Sequence, residues 1–186
     1  AGLYCAIEAG RRGRRVVVVE RNASLGEKIR ISGGGRCNFT NLDVSPARYL
    51  SENPHFPTSA LARFGPQEFL ALVERHGIAY HEKTQGQLFC DTSAREILRL
   101  LGEELTASNV EVLTGTEVLA VRRDDTFVVT TDKGEIAARA LVVATGGLSI
   151  PSLGASDLGY RIAKQFGLRV APTRPGLVPL LLGGAD

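Results

Sequence analysis

The chain has 186 residues, with 44% hydrophobic and 23% charged side chains and 22 basic against 20 acidic groups. That length suits one domain of about 100–200 residues with its own core, and the balance excludes disordered, collagen-like and mucin-like chains. The net charge of +2 gives no strong pull towards nucleic acid or acidic lipid, and no apolar run approaches the ~18 residues of a membrane helix.

The first predicted element is a helix over residues 3–10, where Leu3, Ala6, Ile7 and Gly10 share one apolar or small face. The run Arg11-Arg12-Gly13-Arg14-Arg15 reads as a solvated connection, with a phosphate or RNA contact as the alternative. Val16-Val17-Val18-Val19 then predicts a parallel strand covered on both sides and closed by Glu20. Helix, short turn, strand and acid make the second half of a βαβ unit. The strand that should precede Ala1 is expected to be missing, and residues 1–186 to be an incomplete domain.

Phe69, Leu72, Val73 and His76 predict a helix after Pro66. Ile97, Leu98, Leu101 and Leu105 predict another, with Ser93 as N-cap and Glu96 completing a capping box. Short strands are expected at 78–80 and 87–89. A strand at 110–113 is followed by a meander at 118–121, 127–131 and 136–138, turning at Asp132-Lys133-Gly134. Leu141-Val142-Val143-Ala144 predicts one more buried strand, and a last helix spans 157–166 with Asp157 as its cap. The expected architecture is a three-layer α/β domain, a parallel sheet with a small antiparallel β-meander.

Three segments carry binding chemistry. A nucleotide-binding βαβ turn places its third glycine where helix and strand pack closely, and an acid about 20 residues on takes the ribose hydroxyls. Gly2 suits that glycine and Glu20 that acid, which favours FAD or NAD over NADP. Any helix–strand pair ending in Glu would share the pattern. Arg21 either stacks on adenine or faces water.

The second segment runs from Gly26 to Asn41 and contains Ser32-Gly33-Gly34-Gly35-Arg36-Cys37-Asn38. Consecutive glycines bare their N–H groups to a phosphate or a flavin ring. Ser32, Asn38, Thr40 and Asn41 add neutral hydrogen bonds, while Lys28 and Arg36 add positive charge. A flexible linker is the alternative, and the segment lacks the Lys-Ser/Thr ending of a P-loop. The third segment, Ala144-Thr145-Gly146-Gly147, brings bare backbone to the carboxyl edge of the sheet.

Cys5, Cys37 and Cys90 have no metal-like spacing, and their odd number argues against a disulfide framework. Reduced thiols fit a cytoplasmic protein. Cys37 reads as a packing residue, because Cys90 is far from it in sequence. Of His55, His76 and His81, His76 lies on an apolar helix face and reads as structural.

These motifs resemble those of the BaiN-like, aminoacetone-oxidase-like family of bacterial FAD-binding flavoproteins, whose two-dinucleotide-binding-domain fold is similar to that of glutathione reductase. The resemblance rests on Ala1-Gly2, Val19-Glu20-Arg21, the Lys28 to Asn41 segment, Ala144-Thr145-Gly146-Gly147 and Arg174-Pro175-Gly176-Leu177-Val178-Pro179-Leu180. The chain departs from the family pattern in lacking the first glycines of the turn and in carrying Asp157-Leu158.

The resemblance implies a Rossmann-like FAD/NAD(P)-binding domain, the N-terminal part of a longer protein with a substrate domain and a completing C-terminal segment. It implies that Ala1 and Gly2 lie by the pyrophosphate and that Glu20 holds the adenosine ribose with Arg21 beside it. Lys28, Ser32, Gly33, Gly34, Gly35, Arg36, Cys37 and Asn38 then run along the diphosphate towards the isoalloxazine. The Val118 backbone meets adenine, and Thr145 and Gly146 approach from the opposite side. The implied activity is FAD-dependent hydride or electron transfer on an amine, aminoketone or steroid-like ketone, with NAD(P)H a candidate electron donor. The alternatives are a flavoprotein of RNA modification and an NAD-binding reductase. The expected partner is a small-molecule substrate in the cytoplasm, with no metal, nucleic acid or membrane.

Overall fold

Apolar spacing builds the first helix, α1 (Gly2–Arg11), which buries Ala6 and Ile7. The computed structural model describes residues 1–150 and 153–174. Gly13, at φ 71°, turns the chain into β1 (Val17–Val19).

An inserted layer separates β1 from its sheet partner. It begins with α2 (Glu27–Gly35) and β2 (Asn38–Asn41), followed by α3 (Thr58–Arg63) and α4 (Pro66–Arg75). Pro66 starts α4 because a first-turn residue needs no N–H, and the Glu68 carboxylate accepts the Gly65 N–H at 2.7 Å. The hairpin β3 (Tyr80–Glu82) and β4 (Gln87–Cys90) completes an antiparallel sheet in the order β2-β4-β3. Phe39 joins this sheet to α4, its ring 6.1 Å from Phe69 and 5.8 Å from Tyr80.

Helix α5 (Arg95–Ala107) leads into β5 (Glu111–Leu113), which pairs in parallel with β1, Val18 opposite Val112. Helices α1, α4 and α5 meet over a core that includes Ile7, Val73, Ile97, Leu100 and Leu105. At the edge of this core Glu104 accepts hydrogen bonds from Arg11 and Arg75, the latter at 3.1 Å, and bonds His76 Nε2 at 2.7 Å. The meander is β6 (Val118–Arg123), β7 (Phe127–Thr131) and β8 (Gly134–Ala138), antiparallel in that order. Gly134, at φ 130°, closes its second turn. Helix α6 (Leu158–Gln165) docks on the meander through Gln165, which donates to the Val121 carbonyl at 2.6 Å, and through Phe166 against Phe127.

This is a Rossmann-like α/β domain with a parallel strand pair and antiparallel sheets, and several local expectations need correction. Residues 141–144 form no strand. Among the described residues they have no ladder partner, and Val142 and Val143 stand 64% and 42% exposed. β1 is half-buried rather than covered on both sides. Residues 38–41 form a strand where none was expected. Ser93 does not cap α5 as predicted: Ala94 holds the cap position, Ser93 Oγ accepts only the Arg95 N–H at 3.2 Å, and Glu96 pairs with Arg99 instead. Asp157 sits at the N-cap of α6, but its carboxylate takes Arg161 Nε at 2.9 Å rather than a backbone N–H. Arg11 leaves the solvated basic run to bind Glu8 and Glu104. The 175–180 part of the resembling C-terminal segment lies outside the described residues.

Candidate nucleotide and flavin site

The carboxyl end of β1 gathers the first and third segments. Glu20 leaves β1 half-buried, and its Oε1 accepts the Asn22 N–H at 2.8 Å. Its other carboxylate oxygen has no protein partner among the described residues. The Glu20 carbonyl accepts the Thr116 N–H at 3.0 Å, which places Val118 two residues from this turn. The Asn22 carbonyl accepts the Gly115 N–H at 2.8 Å, and the Asn22 side chain lies 3.2 Å from where a Cβ on Gly154 would stand.

Beside this turn the amino end of α1 meets the third segment. A Cβ on Gly2 would come 3.2 Å from Ala144 Cβ, so helix and chain pass closely there. The first N–H groups of α1 and the exposed Ala1, Thr145 and Gly146 therefore border one another, an arrangement suited to an anion. Lys28 adds charge: its Nζ donates to Ser149 Oγ at 3.2 Å and lies 3.8 Å from a would-be Cβ on Gly146. Arg21 is exposed.

Helix α2 connects this corner to the glycine segment. Glu27 at its start pairs with Arg30, and the helix breaks at Ser32, whose ψ of 148° is extended. Ser32 Oγ donates back to the Ile29 carbonyl at 2.9 Å. Gly33 and Gly34 follow at φ 58° and 67°. Gly33 is packed, because a Cβ there would come 2.6 Å from Phe89 Cε1 and 2.8 Å from Asn38 N. Gly34 faces open space within 4 Å, and Gly35, at φ 84°, is nearly as open. Gly34 and Gly35 thus fit close ligand approach, whereas Gly33 serves the packing of β4. The Arg36 carbonyl accepts the Cys90 N–H at 3.0 Å, while its exposed side chain has no partner among the described residues. Asn38 is exposed at the start of β2.

Cys37 is buried at φ 54°, and burial pushes its thiol up, against a hydrogen bond with Ser32. The Cys90–Arg36 backbone bond brings Cys90 close to it, so distance in sequence was no measure of distance in space. Cys90 is pushed up to about 11, first by burial and then by the neighbouring Cys37. Both are protonated free thiols packed in the core, which keeps Cys37 a packing residue. His76 is structural, its two ring nitrogens bonded to Glu103 at 2.9 Å and Glu104 at 2.7 Å. No group of three or more metal-ligating side chains occurs among the described residues.

Some residues of this region had no sequence signal. Phe89 supports Gly33 through hairpin register alone, and the same register joins His81 to Asp91 at 2.6 Å. Asn22 could have been found, since a short polar residue after a strand-ending acid is a turn former.

The chain belongs to the HI0933-like family, whose Rossmann-domain model matches residues 1–184. It is 54% identical over 98% of its length to a ribosomal RNA dihydrouridine synthase of Escherichia coli, covering 46% of that protein. It is 32% identical over 97% of its length to a 3-dehydro-bile acid delta(4,6)-reductase of Clostridium scindens, covering 45% of that protein. The chain thus spans about half the length of these curated relatives. In fold it is similar to glycine oxidase from Geobacillus kaustophilus, at a TM-score of 0.60 and 17% identity, covering 90% of this chain and 56% of that one. No described helix is long and apolar enough to cross a membrane.

Proposed function

With HI0933-like membership as the premise, we propose that the chain is the FAD-binding part of a flavoprotein that reduces uridine to dihydrouridine in ribosomal RNA. The observation that carries the uridine reading is the likeness to the Escherichia coli synthase. The cofactor reading rests on geometry: Gly2 passes close to Ala144, Lys28 Nζ stands beside Gly146, and the left-handed Gly34 faces open space. The chemistry FAD supplies when bound is two-electron hydride transfer.

The chain's own residues divide the work of holding it. The α1 N-terminus and Lys28 bind the diphosphate. Glu20, with one oxygen spent on Asn22, turns the other to the adenosine ribose. Val118 and Arg21 border the adenine, and Thr145 and Gly146 close the opposite side. Ser32, Gly34, Gly35, Arg36 and Asn38 line the way to the isoalloxazine, where the Arg36 charge favours the reduced, anionic ring. NAD(P)H is the proposed donor.

This reading makes RNA a partner, against the first sequence expectation of a small-molecule substrate alone. The two relatives share a chemistry, since uridine and an unsaturated ketosteroid both carry a double bond conjugated to a carbonyl. A reductase of small enones, the BaiN-like branch, is therefore the second reading, and the 32% relative favours it. The deciding experiment uses the purified full-length protein with NAD(P)H and ribosomal RNA transcribed in vitro. Dihydrouridine detected by mass, with FAD released from the protein, is the expected result. Flavin present, RNA unchanged and an enone reduced would replace this reading by the second.

A further inference from the structure

Two histidines of the inserted layer, His76 and His81, differ in one respect. His76 spends both ring nitrogens on Glu103 and Glu104 and is nearly buried, its side chain 13% exposed. His81, on β3, gives Nδ1 to Asp91 Oδ1 at 2.6 Å, and its Nε2 has no partner among the described residues, with the side chain 36% exposed. A carboxylate that holds one imidazole nitrogen fixes the tautomer and leaves the other nitrogen to exchange a proton.

Register decides where that nitrogen stands. His81 pairs with Phe89, and Phe89 with Asn38, so the three side chains share one face of the β2-β4-β3 sheet. The His81 ring lies alongside Phe89, with centroids 6.2 Å apart and planes 18° from parallel. Lys83 Nζ sits over the same Phe89 ring at 4.0 Å. Gly33 packs against the edge of that ring. His81 therefore stands one ring away from Gly33 of the glycine segment.

We propose that His81 is the proton donor of the reductase and Asp91 the residue that positions it, an inference that rests on the uridine reading above. Saturating C5=C6 of uracil takes a hydride at C6, drawn from the reduced flavin, which is thereby oxidised, and a proton at C5. The proton leaves His81 Nε2, the C5–H bond forms, and the neutral imidazole, still donating Nδ1–H to Asp91, is reprotonated from solvent. Lys83 on the same face favours the carbonyl-side negative charge that builds up before the proton arrives.

Two measurements on the full-length flavoprotein test this. Labelling with diethyl pyrocarbonate, mapped by mass spectrometry, reads free imidazole nitrogens without turnover. His81 is expected to label at least about tenfold faster than His76, and in-vitro-transcribed ribosomal RNA to slow His81 labelling severalfold. In turnover, His81→Gln is expected to lower kcat about 100-fold with KM nearly unchanged, and Asp91→Asn to lower it less, again without moving KM. Unchanged flavin content and unfolding midpoint in both variants separate this from misfolding. A His81 that labels no faster than His76, or that RNA does not protect, overturns the assignment even if the variants misfold. Active wild type with an equally active His81→Gln overturns it while leaving the uridine reading intact, whereas a wild type inert towards RNA removes both.

Discussion

At Gly33 an added methyl group would strike Phe89 and Asn38, and φ is 58°; at the next residue, Gly34, φ is 67° and nothing lies within 4 Å. Neighbouring glycines thus answer to different constraints. Gly33→Ala must push Phe89 or the β2 backbone aside, which is expected to cost about 1–3 kcal/mol of stability. Gly34→Ala meets only the left-handed backbone penalty, about 1 kcal/mol, but projects its methyl where the flavin or phosphate is proposed to lie. Thermal melts paired with the flavin-to-protein absorbance ratio of the full-length protein separate the two. Gly33→Ala should lower the midpoint more, and Gly34→Ala should lose more flavin. A Gly34→Ala protein that keeps a full complement of flavin removes Gly34 from the site.

Among the elements, α1 passes the C-terminal end of α5 where Gly10 meets Ser108, leaving no room for a Cβ against the Ser108 carbonyl. Gly10→Val must part the two helices and is expected to destabilise the protein by about 1–3 kcal/mol. Gly102, inside α5 with nothing within 4 Å, is a glycine of another kind. Gly102→Ala is expected to stabilise by about 0.5–1 kcal/mol, because alanine loses less backbone freedom in a helix. Urea unfolding reads both, and a destabilising Gly102→Ala would show that the α5 surface is not open there. These helices were legible because 3.6-residue periodicity is a local signal: Leu3, Ala6 and Ile7, or Ile97, Leu101 and Leu105, report their own burial. Strands were less so. Leu141-Val142-Val143-Ala144 has strand composition, but a strand also needs a neighbour to bond, and the described chain offers none. Asn38-Phe39-Thr40-Asn41 has no alternation that marks a strand, yet becomes one because β4 lies alongside.

For the whole molecule, the candidate site divides the same way: Gly2, Glu20, Lys28 and the triple glycine carry their signal in local spacing, while Phe89, His81 and Asp91 join through hairpin register. The polar junction at Glu104 is another long-range product, tying α5 to Arg11 of α1 and to Arg75 and His76 at the end of α4. Burial opposes its ionisation, and the hydrogen bonds from His76, Arg11 and Arg75 overcome that, holding its carboxyl at about 2 against an ordinary 4.5. A carboxyl lowered on folding stabilises the native state at pH values above its unfolded pKa, and that contribution is lost as pH falls towards the folded value. The full shift corresponds to about 3 kcal/mol, present at neutral pH and shrinking between pH 4.5 and 2. Glu104→Gln should therefore lose up to about 3 kcal/mol at pH 7, with the gap from wild type narrowing as the pH is lowered through that window. Urea midpoints measured from pH 7 to pH 3 follow the gap directly. If it stays constant across the range, charge at Glu104 contributes nothing to the junction, and the three helices are held by Ile7, Val73, Leu100 and Leu105 alone.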